Sequence, residues 1–407
     1  MRRSKSYDVA ASLWSPLRNE RFRSLWLANL VSNLGTWMQG MGAAWMMVQL
    51  SMSPQLVAWV QTAMTLPILL IVVPAGLVAD HTDRRTFLFF THFGMAVTAL
   101  ALGILATGGG MTPTLLLSGT FLLGCGTAMT MPAWQAAIST LVDPAEIHSA
   151  ATLNGMSFNF ARTIGQALAG WVAQIWAVGV IFWLNAVSFL GLVFVFWRWR
   201  FAANGGETRP LAPRRPQMLA GFHTILASVG FRALLLRTFL IFFGASCMWS
   251  LLPAFAGIQL RLDAPGVGLL MSAIGAGAVA GGGLLPSLNA RIGIGRLTSL
   301  AAALLGVSLL SLTAEGRFGS IWFSMAATGV GWAFVVSSLN GTAQSMFPVE
   351  IRARAISIYL MAMYGGTTVG SWTWGVLSAS HGMNFTFVVA GAMLLVSALF
   401  MNRWSIT

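Results

Sequence analysis

One arginine stands out among the residues that could do chemistry, because it lies inside a long apolar run. Arg162 falls about 20 Å into a helix predicted over residues 149–176, close to the centre of a bilayer. A charge at that depth is costly and faces a cavity, a partner or a ligand. All ten acidic residues lie in loops or at predicted helix ends. Arg162 is therefore a candidate contact for an anionic or carbonyl-bearing ligand; the alternative is a structural arginine that bonds backbone carbonyls.

Other kinds of chemistry lack the residues they need. The glycine-rich runs follow no predicted strand, and the nucleotide-binding motif with its Lys-Ser/Thr is absent, which argues against an ATP-driven pump. His, Asp and Glu do not group within the predicted helices, so we predict no enzyme, no metal site and no cofactor. Cys125 and Cys247 each lie in an apolar run and are expected to be small buried hydrophobic residues.

The elements that must position Arg162 are apolar helices. The chain has 407 residues, of which 57% are hydrophobic and only 8% charged, against about 25% charged in soluble domains. Apolar runs of about 18 residues or more recur throughout, which indicates transmembrane helices rather than the alternating strands of a membrane barrel. We predict twelve: 24–50, 55–79, 86–107, 113–141, 149–176, 180–198, 234–257, 265–289, 296–313, 318–344, 353–378 and 384–402. The fold class is thus an all-α polytopic membrane protein.

The positive charges predict the orientation. Twenty of the 23 lysines and arginines fall in segments on the side of the N-terminus, whereas the loops on the other side hold only Arg261 and Arg317. Cytoplasmic loops carry such an excess, so both termini are expected in the cytoplasm. This distribution also explains the net charge of +13 without a nucleic-acid partner, and the bilayer is the expected environment.

The helices fall into two halves that resemble each other. The polar and proline-containing stretch 199–233 is predicted to be a cytoplasmic linker between a six-helix bundle at 24–198 and a second at 234–402, with cytoplasmic tails at 1–23 and 403–407. Pro144-Ala-Glu-Ile147 recurs 204 residues later as Pro348-Val-Glu-Ile351. Repeated halves are typical of alternating-access transporters, so two pseudo-symmetric six-helix halves are predicted.

Several motifs carry a family resemblance. The loop after the second helix, Gly76-Leu-Val-Ala-Asp80 followed by Arg84 and Arg85, resembles motif A of the major facilitator superfamily. Other stretches are similar to the transmembrane secretion effector and enterobactin-exporter-like branch of it: Phe22–Gly35, Asn154–Gly165, Leu184–Phe189, Phe231–Leu236 and Leu252–Phe255. One departure is Gln166, where the branch usually has proline, which puts the antiporter-type bend of this helix in doubt.

The resemblance implies a gate at the cytoplasmic side. In the superfamily the motif A aspartate, here Asp80, contacts the N-terminus of helix eleven and basic residues. A helix N-terminus favours an anion, and Arg352 and Arg354 lie at the start of that helix. We expect Asp80 to latch the outward-facing state, with a solvated turn residue as the alternative. The predicted gating set is Gly76, Asp80, Arg84, Arg85, Arg352 and Arg354.

The resemblance also implies a cavity lined by helices one, four, seven and ten. Aromatic and methionine side chains near their centres suit a bulky amphipathic ligand, although packing or lipid contact is the alternative for any one of them. The predicted substrate-binding set is Arg162, Trp37, Gln39, Met41, Trp45, Gln166, Trp249 and Trp332.

Together these features predict a secondary active transporter of the bacterial inner membrane. The expected activity is export of small amphipathic molecules, siderophore- or drug-like, by alternating access; an uptake carrier or a lysolipid flippase on the same fold is the alternative. The expected partners are a small-molecule substrate and the lipid bilayer, with protons as a candidate coupling ion. A monomer is expected.

Overall fold

Twelve long helices make up the part of the chain that the structure describes. The structure, a computed structural model, describes residues 13–200, 225, 227–314 and 318–401, so most of the predicted linker, the N-terminal residues 1–12 and the tail 403–407 lie outside the described residues. The helices are α1 Glu20–Ser51, α2 Pro54–His81, α3 Arg84–Thr107, α4 Pro113–Leu141, α5 Ile147–Ile175, α6 Val178–Arg200, α7 Val229–Ala254, α8 Ala264–Ile292, α9 Ile294–Ser311, α10 Phe318–Ser345, α11 Val349–His381 and α12 Met383–Met401.

Short loops with strong capping residues separate the helices. Thr112 caps α4 by accepting a hydrogen bond from the backbone N–H of Leu115, and Pro113 follows at the first helical position. Gly382 ends α11 with φ 83°, in the left-handed region that favours glycine, and α12 begins at the next residue. Such tight connections reverse the direction of the chain from one helix to the next.

Nine of the helices in the described residues are long and apolar enough to cross a membrane. The other three, α1, α5 and α11, are of similar length, with 32, 29 and 33 residues, but carry more polar side chains. In a bilayer such side chains must face protein or a water-filled space. Each of these three helices is therefore expected to turn one face to the interior of the assembly.

The first six helices pack as one bundle and the last six as another. Within the first, α1 packs on α5 and α6, α2 on α4, and α3 on α6; within the second, α7 packs on α11, α8 on α10, and α9 on α12. Four helix pairs join the bundles in the described residues: α5 with α8, α2 with α11, α2 with α7, and α1 with α7. The predicted fold of twelve helices in two six-helix halves is confirmed.

Two ends of the bundle are distinguished below. The terminus-side face is where α1 begins, and the distal face is where α1 ends and α2 begins. Asn19, which caps α1, donates from its side-chain amide to the backbone oxygen of Leu141 at 2.8 Å, which places the end of α4 at the terminus-side face. Trp26 of α1 donates to the backbone oxygen of Leu153 at 3.2 Å, so α5 begins at this face too.

The largest difference from the predicted helix bounds is at α7. It begins at Val229, five residues before the prediction, because Ser228 caps it by accepting from the backbone N–H of Phe231 at 3.3 Å. At its other end the chain continues as a single π turn, Phe255–Gln259.

Candidate functional site

Arg162 is buried at the middle of α5. Only 5% of its surface is exposed. One terminal nitrogen, Nη2, donates a hydrogen bond to Oδ1 of Asn159 at 3.1 Å, but the buried Nε has no hydrogen-bond partner. A buried donor without an acceptor costs about 1–3 kcal/mol, and more on a charged group. The guanidinium therefore has unused capacity to bind an acceptor.

Gln166, one helical turn farther along α5, supplies the complementary group. It is 2% exposed, and its side-chain carbonyl oxygen Oε1 is buried without a partner. Residues four apart lie side by side on a helix, with about 5–6 Å between their Cβ atoms. An unpaired donor and an unpaired acceptor thus lie on one face of α5, which suits a ligand that both accepts and donates hydrogen bonds.

This face of α5 points into the assembly, between α1 and α8. On one side, a Cβ placed on Gly165 would lie 3.0 Å from the backbone oxygen of Leu34 in α1. On the other side, Thr163 contacts Gly275 of α8. The opposite face of α5 is exposed along its length, at Phe160, Ile164, Leu168 and Trp171. Arg162 therefore faces the junction of the two bundles, away from the surface that lipid would cover.

The contact between α5 and α8 is tight towards the distal face. A Cβ on Gly170 would lie 2.6 Å from the backbone oxygen of Ala264, and a Cβ on Gly268 would lie 2.7 Å from that of Gln166. Real side chains do not approach backbone so closely, so only glycine allows the two helices this spacing.

Towards the terminus-side face the same two helices separate. Gly282 continues the stripe of Gly268 and Gly275 at a spacing of seven residues, yet a Cβ on it would meet nothing within 4 Å. On α5, Met156 continues the stripe of Gly170 and Thr163 and is 48% exposed. We define the α5–α8 cleft by Thr152, Met156 and Asn159 of α5 and Val279, Gly282 and Gly283 of α8.

The opening is confined to the contact between the bundles, since α5 stays packed on α1 beside the cleft. Asn29 of α1 donates from its side-chain amide to Oδ1 of Asn154 at 3.1 Å. Trp37 of α1 packs edge to face on Phe158, with 5.4 Å between ring centroids. The packing of α5 on α1 within the first bundle therefore continues at the depth where α5 and α8 are no longer in contact.

Other contacts between the bundles that the described side chains make lie at mid-depth and near the distal face. A Cβ on Gly257, in the π turn, would lie 2.9 Å from the ring of Trp45 in α1, which brings this predicted binding residue to the distal contact. A Cβ on Gly375 of α11 would lie 3.0 Å from the Cβ of Ala58 in α2. At mid-depth, the hydroxyl of Thr368 donates to that of Thr65 at 2.9 Å.

The predicted aromatic residues do not form one cluster. Trp37 lies beside the α5 face that carries Arg162, whereas Trp249 and Trp332 pair with each other in the second bundle, at 5.2 Å between ring centroids and an interplanar angle of 72°. Phe242 packs on Trp332 at 5.0 Å. Met41 is 1% exposed. Their roles in substrate binding stay predictions.

Gln39 is engaged in a polar cluster between α1 and α6. Its side-chain oxygen accepts a hydrogen bond from Nδ2 of Asn185, and the hydroxyl of Ser188 donates to Oδ1 of Asn185 at 3.0 Å. Both amide side chains are almost completely buried. The pairing satisfies the Gln39 oxygen inside the first bundle; a role in binding substrate stays a prediction.

The predicted gating residues are only partly described. Gly76 and Asp80 belong to α2 by their backbone, but their side chains lie outside the described part of the structure. Arg84 and Arg85 begin α3, and Arg352 donates from Nε to the backbone oxygen of Phe347 at 3.3 Å. Arg354 lies in the first turns of α11. The latch therefore stays a prediction.

Asp83, next to this predicted gate, caps α3. Its carboxylate accepts from the backbone N–H of Thr86 at 2.9 Å. Partial burial by itself would raise the pKa of Asp83, but the hydrogen bonds from the Thr86 side chain and backbone, with the charge of Arg85, outweigh it and lower the pKa below its usual value. The carboxylate is thus held ionised where α3 begins.

Some polar residues of the interior were missed by sequence reasoning. Arg237 lies inside the predicted helix 234–257 but was counted only as a flanking charge of the linker; the structure places it in α7, where it is 6% exposed. Its position within an apolar helix was the signal that could have revealed it. Thr65 and Thr368 meet across the bundles although they lie 303 residues apart, and nothing in the local sequence indicates that pairing.

Comparisons with known proteins agree with this architecture. The model of the transmembrane secretion effector family, MFS_3, matches residues 11–407. An uncharacterized MFS-type transporter of Bacillus subtilis, YfiS, is 24% identical over 405 residues, which cover 94% of this chain and 93% of that protein. A second one, YceJ, is 23% identical and covers 82% of each chain.

Solved structures of transporters share the fold at low sequence identity. A POT family transporter in complex with 5-aminolevulinic acid superposes with a TM-score of 0.77 at 15% identity, covering 96% of this chain and 97% of that one. A bacterial homologue of the iron transporter ferroportin in an inward-facing state gives 0.75 at 15% identity, covering 95% and 98%. With its two six-helix bundles and a family match over nearly all of its length, the chain belongs to the transmembrane secretion effector family of MFS-type membrane transporters.

Proposed function

We propose that this transporter is a secondary active exporter of small amphipathic molecules, siderophore- or drug-like, that works by alternating access across the bacterial inner membrane. The observation that carries the proposal is that Nε of the buried Arg162 and Oε1 of the buried Gln166 have no hydrogen-bond partner, at the depth where contact between the bundles ends. Unpaired buried polar groups are costly in a resting protein and are compensated when a ligand binds them.

The closure of one face supports the alternating-access part of the proposal. Contacts between the bundles at Gly170, Gly257 and Gly375 close the distal side, while the α5–α8 cleft opens the other. If the arginine distribution orients the chain as predicted, the open side faces the cytoplasm. An exporter loads its substrate in that state.

The side chains around the polar pair support an amphipathic substrate. Trp37 and Phe158 offer aromatic surface beside the charged Arg162. Such sites hold a ligand by apolar contact and orient it through a few polar groups. All ten acidic residues lie in predicted loops or at helix ends, and the one nearest to Arg162 along the chain is Glu146, about 24 Å away along the helix. An acidic group on the substrate would neutralise the guanidinium.

Ligand-dependent thermal stability of the purified protein tests this proposal. Catecholate and citrate-type chelators, neutral amphipaths and cationic drugs are compared on the wild type, Arg162→Ala and the exposed control Arg291→Ala. The anionic compounds are expected to stabilise the wild type and the control, by about 2.7 kcal/mol at 100 times the dissociation constant, and to leave Arg162→Ala unchanged. Flux in reconstituted vesicles of both orientations then gives the direction.

Two results would contradict the proposal. Stabilisation by cationic drugs alone, equal in Arg162→Ala, would make Arg162 structural. Flux only towards the cytoplasmic side would make the protein an uptake carrier. Arg162→Lys, which keeps the charge but loses the planar fork, separates loss of binding from loss of folding.

We also propose the Asp80 latch as the device that closes the terminus-side face. Ionised Asp80 would hold the start of α11, near Arg352 and Arg354, when the cleft shuts. Asp80→Asn should then leave a cysteine introduced at Met156 accessible to a water-soluble thiol reagent for more of the transport cycle. Unchanged accessibility and transport would reject the latch.

A further inference from the structure

The α5–α8 cleft lies beside the lipid-facing surface as well as beside the interior. On α5, Met156 lies around the helix between the exposed outer stripe, which includes Phe160, and the α8-facing stripe of Thr163. On α8, Val279 is 56% exposed, and Gly283 has open space around it. An opening bounded by these residues leads sideways into the surrounding leaflet.

A diagonal row on α5 connects that opening to the buried arginine. Met156, Asn159 and Arg162 follow one another at steps of three residues, each of which moves about 60° around the helix. The row thus passes from the edge of the lipid-facing surface to the interior. Its last two members are joined by the hydrogen bond from Arg162 to Asn159.

The chemistry along the row changes from apolar to cationic. Met156 and Val279 offer flexible or branched hydrocarbon surface, and Gly282 and Gly283 add no side chain that would fill the gap. The amide of Asn159 and the unpaired Nε of Arg162 come next. An apolar chain suits the outer part and an acidic head suits the inner part, since a desolvated guanidinium binds carboxylate or phosphate strongly.

We propose that the substrates are amphipaths with an acidic head and an apolar chain, and that they reach Arg162 sideways from the leaflet at the terminus-side face, through the α5–α8 cleft. This rests on the transport function proposed above and adds to it the substrate class and the entry route. The head passes Asn159 to Arg162 while the chain stays between Met156 and Val279. Entry through the aqueous centre of the terminus-side face is the competing route.

Photo-crosslinking in lipid nanodiscs tests the route without requiring transport. The photoreactive residue p-benzoylphenylalanine replaces Gly282, where open space accommodates it, and, as a control, Val187 on the exposed face of α6. The probe is radiolabelled laurate. Capture at position 282 should saturate, compete with unlabelled laurate, and fall about tenfold with Arg162→Ala, the equivalent of about 1.4 kcal/mol. Capture at position 187 should neither saturate, nor compete with unlabelled laurate, nor depend on Arg162.

The choice of competitor identifies what is recognised. Dodecyltrimethylammonium has a chain of the same length with a cationic head, and butyrate has the same head with almost no chain. Neither should displace laurate from position 282 at concentrations where unlabelled laurate does. Equal displacement by the cation would overturn the acidic-head assignment, and equal displacement by butyrate would overturn entry from the membrane.

Blocking the α5–α8 cleft with a large side chain tests the entry route separately from the transport function. Gly282→Trp should slow laurate flux in proteoliposomes severalfold, whereas Gly94→Trp, at an equally open position on α3, should not. If Arg162→Ala reduces laurate flux but Gly282→Trp leaves it at the wild-type rate, the lateral route is overturned and the proposed transport function is retained. Saturable, Arg162-dependent capture with no flux from any reconstituted orientation would keep the site and refute the exporter.

Discussion

The two halves of the α5–α8 contact are built from one stripe of residues but differ in what the stripe touches. Gly268 and Gly282 lie at equal spacing on either side of Gly275. A Cβ on Gly268 would press into the backbone of α5, whereas one on Gly282 would meet nothing within 4 Å. On α8 the residue type and spacing are the same, so the difference lies in the distance to α5, whose facing residue changes from Gly170 to Met156. Closed and open states of a transporter can share one set of contact residues in this way.

A larger side chain in the closed, distal half of the α5–α8 contact should have the largest effect on stability and transport. Gly268→Leu forces its side chain against the backbone of Gln166 and Gly170, which cannot move aside as a flexible side chain can. We expect a loss of about 3 kcal/mol in unfolding free energy and loss of transport. Thermal unfolding and flux measurements check this. Gly282→Leu is the matched control and should keep wild-type stability; equal damage at both positions would mean that the two halves do not differ.

Breaking a contact within the first bundle should lower stability without opening the distal face. Asn185→Leu leaves the buried oxygen of Gln39 without its donor, at an expected cost of about 2 kcal/mol in unfolding free energy. The double variant with Gln39→Leu should recover part of this loss. A double variant as unstable as the sum of the two single ones would show that the pair does not interact.

The rate at which introduced cysteines react should differ between the open and closed halves of the α5–α8 contact. In a background without Cys125 and Cys247, a cysteine at Thr152 should react about tenfold faster with a water-soluble maleimide than one at Thr163, equivalent to about 1.4 kcal/mol. Thr152 borders the cleft, and Thr163 contacts α8. A ligand bound at Arg162 should reduce the difference. Equal rates without ligand would mean that the cleft is closed in the membrane.

The smallest effect is expected at Asp83, outside the contact between the bundles. Because its pKa is lower in the folded protein, its stabilising contribution is present above the unfolded pKa of about 3.9 and is lost as the pH falls through the lower folded value. Asp83→Ala should cost about 1 kcal/mol of stability at neutral pH and leave accessibility of the cleft unchanged. A variant as stable as the wild type at pH 7 would show that this cap contributes nothing.

The sequence predicted the helices better than their contacts. All twelve predicted helices correspond to observed ones because apolar length is a local property. The depth of Arg162 followed from the same local property, and it is buried as its position in the helix indicates. In contrast, the partner of Gln39 lies 146 residues away, and the identical residue type of Gly268 and Gly282 does not show which of them touches α5. Pairing across a bundle depends on the packing of whole helices, which local patterns do not encode.

The equal spacing of the three glycines has a mechanical consequence. If the two helices rock about the contact between Gly275 and Thr163, the distances from Gly275 to Gly268 and to Gly282 along α8 are each about 10 Å. A rocking motion of about 20° about this point would move each end by about 4 Å, in opposite directions, by the same geometry. Because the two distances are equal, such a motion would open this contact at one face as it closed it at the other, and the contact would not be open at both faces at once.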